Sequence, residues 1–282
     1  MPLALLVAFL VSACAQRSPG CGGGGGSNGG GGGGGSNGGG GKLAGTFVTR
    51  AVEVNGQRHA YKVYVPVGVG PASPVILFLH GSGERGNDNM RQVEVGLGPH
   101  IRAHPDFPAI AIFPQSPPER SWDGDVATAA LAALDATLAE LGGDADRVYL
   151  TGLSRGGYGV WEMAFASPDR FAALVPICSG VRPPAPGRTD LQVTAVAAAA
   201  DPYAELAARL REVPIWIFHG ALDDLVPPAE SRRMAAALRA AGGDVRFTEF
   251  PHANHNSWDP AYAEPELWTW LFAQRRAAAP GR

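Results

Sequence analysis

Residues 46–276 predict an α/β fold, a mostly parallel central sheet covered by helices on both faces. Three observations carry this. Short continuous apolar runs recur along the chain, alanine-rich amphipathic stretches separate many of them, and loops rich in glycine or polar residues follow several. Continuous apolar runs are strands buried on both faces, and β–α alternation places those strands in a parallel sheet between helical layers.

The elements follow in order. Phe47–Val54 and His59–Val65 flank Asn55-Gly56, a turn dipeptide that predicts an antiparallel hairpin at the start of the sheet. The buried strands are then Val75–Leu79, Ile110–Phe113, Val148–Leu150, Leu174–Ile177, Ile215–Phe218 and Val245–Phe250. Helices are expected over Ala127–Leu141, Gly157–Ala166, Ala229–Ala241 and Glu266–Phe272. The Pro- and Ala-rich segment Val181–Asp201 is the candidate lid, and its size predicts a small lid or none. In such sheets chemistry sits at the carboxyl ends of the strands.

Composition separates the chain into two polymers. Of 39 glycines, 17 fall between Gly20 and Gly41, a stretch that cannot build a core and reads as a disordered linker over 15–45. One domain is expected over 46–276, with a disordered tail at 277–282. Acidic and basic residues nearly balance, giving a formal charge of −3, and no basic stripe is present, which argues against nucleic acid as a partner. The cysteines Cys14, Cys21 and Cys178 form no CxxC pair, so zinc-knuckle and thioredoxin-like readings drop out. Pro2–Val11 is an apolar run of signal-peptide length ending at Ser12-Ala13-Cys14. It resembles a lipoprotein signal at 1–14 and predicts export. The chain would be lipid-anchored at the cell envelope through Cys14, or otherwise periplasmic or secreted.

Four loops supply chemistry. After Val148–Leu150 comes Gly152-Leu153-Ser154-Arg155-Gly156, a G-x-S-x-G in strand–turn–helix context. The flanking glycines leave room for a sharp turn that presents Ser154 at a helix N-terminus, where unpaired N–H groups stabilise developing negative charge. After Val75–Leu79, His80-Gly-Ser-Gly-Glu-Arg-Gly86 brings backbone close to substrate. Its Ser82 N–H, with that of Arg155, is the candidate oxyanion hole. After Ile215–Phe218, Asp223 and Asp224 compete to orient a histidine; alternation turns one inward, and Asp223 is preferred. After Val245–Phe250 lie His252 and His255, and His255, deeper in the loop, is the candidate general base. The two histidines lack a nearby third ligand, so no metal is assigned. No cofactor is expected.

The segments His80–Gly86, Gly152–Gly157, Val175–Ser179, His219–Pro227 and His255–Asp259 resemble the predicted-peptidase group of α/β-hydrolases, similar to polyhydroxybutyrate-depolymerase-like and feruloyl-esterase-like enzymes. The chain order Ser154, Asp223, His255 is that of this fold. The resemblance implies Ser154 as nucleophile, Asp223 as acid, His255 as base, and the Ser82 and Arg155 N–H groups as the oxyanion hole. It further implies a serine hydrolase acting through an acyl-enzyme on small esters or on acetylated or feruloylated polysaccharide. A prolyl-oligopeptidase-like serine peptidase is the alternative, and a non-catalytic binding module is disfavoured because every catalytic position is occupied. Trp122 is read as lining the site or packing. Glu84 and Arg85 are read as bracing the oxyanion loop, Cys178 as a buried small hydrophobe, and Trp258 as bordering the base.

Overall fold

The computed structural model describes residues 44–276. The expected signal at 1–14 with Cys14, the linker up to residue 43 and the tail at 277–282 lie outside the described residues. The expected linker end needs one correction: Gly45 already belongs to the folded unit, donating its N–H to the Pro105 carbonyl at 3.4 Å. A Cβ there would strike the Tyr64 ring, so glycine lets the entering chain lie flat on that side chain.

Eight strands, β1 (Thr46–Val54), β2 (Gln57–Val65), β3 (Val75–Leu79), β4 (Ile110–Pro114), β5 (Val148–Leu153), β6 (Ala173–Ile177), β7 (Ile215–Gly220) and β8 (Val245–Phe250), form one sheet in the order β1-β2-β4-β3-β5-β6-β7-β8. The β1–β2 and β2–β4 pairs are antiparallel and the other five are parallel. Asn55 and Gly56 join β1 to β2 with φ of 52° and 74°, both left-handed, the combination that matches the twist of a two-residue hairpin.

Among the described residues, seven helices accompany the sheet: α1 (Leu97–Ala103), α2 (Gly124–Leu141), α3 (Arg155–Ala166), α4 (Pro202–Leu210), α5 (Ala229–Ala240), α6 (Trp258–Ala263) and α7 (Pro265–Ala273). Strand side chains alternate between two cores. Val75, Leu77 and Leu79 of β3 join Leu134 of α2, Trp161 of α3, Leu206 of α4 and Met234 of α5. Ile76 and Phe78 join Leu97 of α1, Tyr262 of α6 and Leu271 of α7. Burial on both faces explains the apolar runs of β3 to β7, in which every residue is buried; β8, expected among the buried strands, lies at the sheet edge and has no buried residue.

The sequence reading omits α1, α4 and α6. The first contains Gly98 and Pro99, which read as loop. A Cβ at Gly98 would lie 2.7 Å from the Val93 carbonyl carbon, so the glycine serves close packing rather than a turn. In α4, Asp201 caps the helix by accepting from the N–H groups of Tyr203 and Ala204 at 3.0 and 3.3 Å, with Pro202 following. The third is a six-residue turn, shorter than a period can reveal. The segment Val181–Asp201 is not a loose flap. Val181, Leu191, Val193 and Val196 are buried in the core, Glu230 accepts from the N–H groups of Val181 and Arg182, and Glu162 accepts from Thr194 and Ala195.

Two local constraints fix the centre of the sheet. At the end of β3 the His80 side chain is fully buried. Its Nδ1–H donates to the Gly81 carbonyl at 2.7 Å and its Nε2 accepts from the Ser116 N–H at 2.9 Å. One partner only accepts and the other only donates, so the neutral tautomer is set. Trp122, itself buried, donates its indole N–H to the His80 carbonyl at 3.0 Å, which settles its role as packing and bracing. At the β5–α3 junction a Cβ on Gly156 would lie 2.5 Å from the Leu79 carbonyl carbon and 2.7 Å from the His80 oxygen. Backbone on both sides leaves nothing that can yield.

Gly156→Ala should therefore lower the unfolding free energy by about 3 kcal/mol, at the upper end of overpacking costs, as measured by urea denaturation. A loss below about 1 kcal/mol would contradict the close approach of α3 to β3. Burial lowers the His80 pKa from 6.5 to about 4. Below pH 6.5 the unfolded chain takes up a proton that the folded one refuses, so stability falls as pH drops toward 4. Between pH 8 and 5 the wild-type chain should lose about 2 kcal/mol more than His80→Gln does, and equal losses would contradict a buried neutral imidazole.

Candidate active site

The turn from β5 into α3 takes a single residue. Ser154 stands there with φ 52° and ψ −120°, a left-handed backbone that a residue with a Cβ adopts only under constraint. The turn is held on both sides: the Ser154 N–H donates to the Ile177 carbonyl at 2.9 Å, and its own carbonyl accepts from Gly157 and Tyr158 at 2.8 and 3.1 Å. Gly152 permits the fold-back, since a Cβ there would lie 2.5 Å from the Gly156 oxygen. The result lifts the Ser154 hydroxyl clear of the sheet at the first turn of α3.

The hydroxyl meets an imidazole. His255 Nε2 lies 2.9 Å from Ser154 Oγ, and His255 Nδ1 lies 2.8 Å from Asp223 Oδ2. A carboxylate only accepts, so Nδ1 carries the proton and Nε2 is left with its lone pair toward the serine. The loop after β8 delivers His255, and Trp258 packs edge-on against its ring at 5.7 Å between centroids.

Asp223 is partnered on both carboxylate oxygens. Oδ1 accepts from the N–H groups of Leu225 and Val226, each at 2.9 Å. Oδ2 faces His219 Nε2 at 3.1 Å as well as His255. Burial on its own would raise the carboxyl pKa; the hydrogen bonds from His219, His255 and Val226 outweigh it and hold Asp223 well below the usual carboxylate range. Asp224 is exposed, so the choice between the two aspartates falls to Asp223. His219 is fully buried beneath it. Its Nε2 faces two acceptors, Asp223 Oδ2 and the Val226 carbonyl at 2.9 Å, while Nδ1 takes the Ser231 hydroxyl at 2.7 Å.

Ser82 opens a single turn, Ser82–Glu84, directly after β3. It faces the first residue of α3: the Arg155 guanidinium donates to Ser82 Oγ at 2.9 Å. The two residues proposed for the oxyanion hole are thereby brought together beside Ser154. Glu84 and Arg85 brace the loop separately. Arg85 Nε donates to the Ser82 carbonyl at 3.1 Å, and Glu84 accepts from the Gly81 N–H while burial pushes its carboxyl up. Gln115 adds a tie, donating to the Glu84 carbonyl at 2.9 Å.

These groups surround a cleft of about 230 Å³, lined among others by Ser82, Glu84, Ser154, Arg188, Leu191 and His255. His252 is exposed and, among the described residues, no cluster of three His, Cys, Asp or Glu side chains could hold a metal ion. Cys178 is fully buried, and burial pushes its thiol far up. The sequence reading missed His80 and His219, which brace the two functional loops. Each is a histidine directly before a glycine at a strand end, and that repeated His-Gly pair was the available signal.

The prolyl oligopeptidase family model matches residues 186–273, the stretch holding Asp223 and His255. No curated protein matches the chain. Among solved structures, a thermostable esterase is 30% identical with a TM-score of 0.65, over 82% of this chain and 63% of that one. An acylaminoacyl peptidase of Pyrococcus horikoshii is 17% identical with a TM-score of 0.63, over 85% of this chain and 43% of that one. An S-formylglutathione hydrolase of Agrobacterium tumefaciens is 16% identical with a TM-score of 0.61, over 82% and 96%. The chain thus spans less than two thirds of the esterase's length, and the likeness to the other two shows the fold alone. With an eight-stranded, mostly parallel sheet and helices on both faces, shared with these structures, the chain belongs to the α/β-hydrolase superfamily.

Proposed function

We propose that this chain is a serine hydrolase of the carboxylic ester type. The observation that carries the reading is the continuous chain of contacts from Ser154 Oγ through His255 to Asp223, at 2.9 and 2.8 Å. In this mechanism Ser154 Oγ attacks the ester carbonyl and passes its proton to His255 Nε2. Asp223 keeps the tautomer and stabilises the imidazolium. The carbonyl oxygen, now an anion, is received by the N–H groups of Ser82 and Arg155, at the positively polarised end of α3. His255 then returns the proton to the departing alkoxide, leaving an acyl group on Ser154. Water, activated by the same imidazole, releases the acid.

The cleft favours short acyl groups. At about 230 Å³ it falls below the range of pockets that enclose drug-sized ligands, so an acetyl group fits inside while the alcohol, small or polymeric, extends outward. Acetylated polysaccharide and small esters lead on this ground, with feruloyl esters next. A second reading, a serine peptidase acting on short peptides, draws on the match to the prolyl oligopeptidase family model. Esters lead because an alkoxide leaves far more readily than an amine. The export signal and lipid anchor expected at Cys14 join this proposal and would place the enzyme at the cell envelope.

Aryl acetate, butyrate and ferulate, with aminoacyl and prolyl anilides, should separate these readings when assayed on the full chain beside Ser154→Ala. Acetate is expected to turn over fastest, and the variant to lose at least about 10³-fold in kcat. Anilide hydrolysis of comparable efficiency would move the assignment to peptidase. Ester turnover that survives in the variant would remove Ser154 from the mechanism.

A further inference from the structure

One cation lies behind the proposed oxyanion hole. The Arg155 guanidinium is buried, with 2% of its side chain exposed, and four acceptors from three loops converge on it. Nε donates to Ser82 Oγ at 2.9 Å, Nη1 to Ser121 Oγ at 2.7 Å and to the Asp190 carbonyl at 3.1 Å, and Nη2 to Asp190 Oδ2. Ser121 Oγ in turn donates to the Asp190 carbonyl at 3.3 Å. Ser82 belongs to the loop after β3, Ser121 to the loop after β4, and Asp190 to the segment after β6 that carries the cleft residues Arg188 and Leu191.

Burying a guanidinium is costly unless its donors are met. A position that needed only volume would be filled by an apolar side chain. Arginine supplies a rigid planar fork with five donors, which fixes the relative placement of its partners in a way that a lysine point charge does not. We infer that the Arg155 side chain is a positioning residue for catalysis, locking the Ser82 loop and the Asp190 wall to the first turn of α3. The residue then acts twice: its backbone N–H is half of the proposed oxyanion hole, and its side chain holds the other half in register. Oxyanion stabilisation depends on donors fixed before charge develops, and a misplacement of about 1 Å costs about 10²-fold in rate.

The inference rests on the proposed ester hydrolysis, and its test keeps the two apart. On the full chain with aryl acetate, Arg155→Met should lower kcat by about 100-fold with KM within threefold, and Arg155→Lys should restore at most a tenth of the loss. A trifluoromethyl ketone, which adds to Ser154 Oγ and leaves its oxyanion in the hole, should lose affinity by the same factor as kcat. Ser82→Ala keeps the N–H, removes one tie and leaves the other Arg155 partners in place, so it covers the case of an unfolded Arg155→Met. It should cost about tenfold in kcat, whereas Ser121→Ala should cost less than threefold. Folded Arg155→Met or Ser82→Ala variants with kcat within twofold of wild type, or with the whole loss in KM, would overturn the inference. If the wild-type chain hydrolyses no ester, the functional proposal fails and hydrogen exchange decides this one. Amides of residues 82–86 and 188–191 should then exchange at least tenfold faster together in Ser82→Ala or Arg155→Met, and unchanged exchange would overturn it.

Discussion

The structure depends on one backbone constraint, the left-handed turn at Ser154 by which β5 becomes α3 within a single residue. That turn requires the carbonyl ends of β3 and the start of α3 to touch, and only glycine at 152 and 156 permits the contact. Once the contact exists, the amino end of α3, the end of β3 and the loop carrying Ser82 share one small volume. The serine, the helix dipole and the candidate oxyanion donors follow from that geometry, with no special feature needed at any of them. Strain at a reactive residue persists only where its surroundings over-determine it. Here the hydrogen bond that the Ser154 N–H donates to Ile177, and those that its carbonyl accepts from Gly157 and Tyr158, supply that surplus.

Around this turn the polar groups are arranged by which side of a proton they take. Asp223 is buried yet ionised because four donors converge on it, two backbone and two imidazole. The same burial without those donors would favour the neutral acid, so His219, whose partners are Asp223, Val226 and Ser231, sustains the charge that faces His255. His80 plays the corresponding part on the other loop, neutral and fixed between Gly81 and Ser116. Two histidines at strand ends thus serve as struts, and a third, His255, stands in a loop between Asp223 and Ser154.

Much of this was legible in the sequence. The apolar runs located β3 to β7 because every residue of those strands is buried, the Asn55-Gly56 turn located β1 and β2, and the positions of Ser154, Asp223 and His255 followed from asking what stands after each run. What sequence periodicity could not reach were the short helices α1 and α6, where glycine, proline or brevity hides the pattern, and α4, whose cap at Asp201 with Pro202 was readable but lay at the edge of the segment taken as a lid. That segment proved to be a wall because its valines face the core, a fact set by tertiary placement and not by composition. The Arg155 strut was equally invisible, since a bond between residues 73 positions apart, as between Arg155 and Ser82, leaves no local trace, whereas His80 and His219 were marked only by the glycine that follows each at a strand end.

The proposed chemistry turns on a Ser154 hydroxyl activated by His255. Treatment of the full chain with a fluorophosphonate tests it most directly: phosphorus bonds to the activated oxygen as fluoride leaves, and the adduct is located by peptide mass spectrometry. One stoichiometric adduct is expected, on the peptide holding Ser154, absent in Ser154→Ala and formed about 10³-fold more slowly in His255→Ala. An adduct on another serine, or unimpaired labelling of Ser154 without His255, would contradict it.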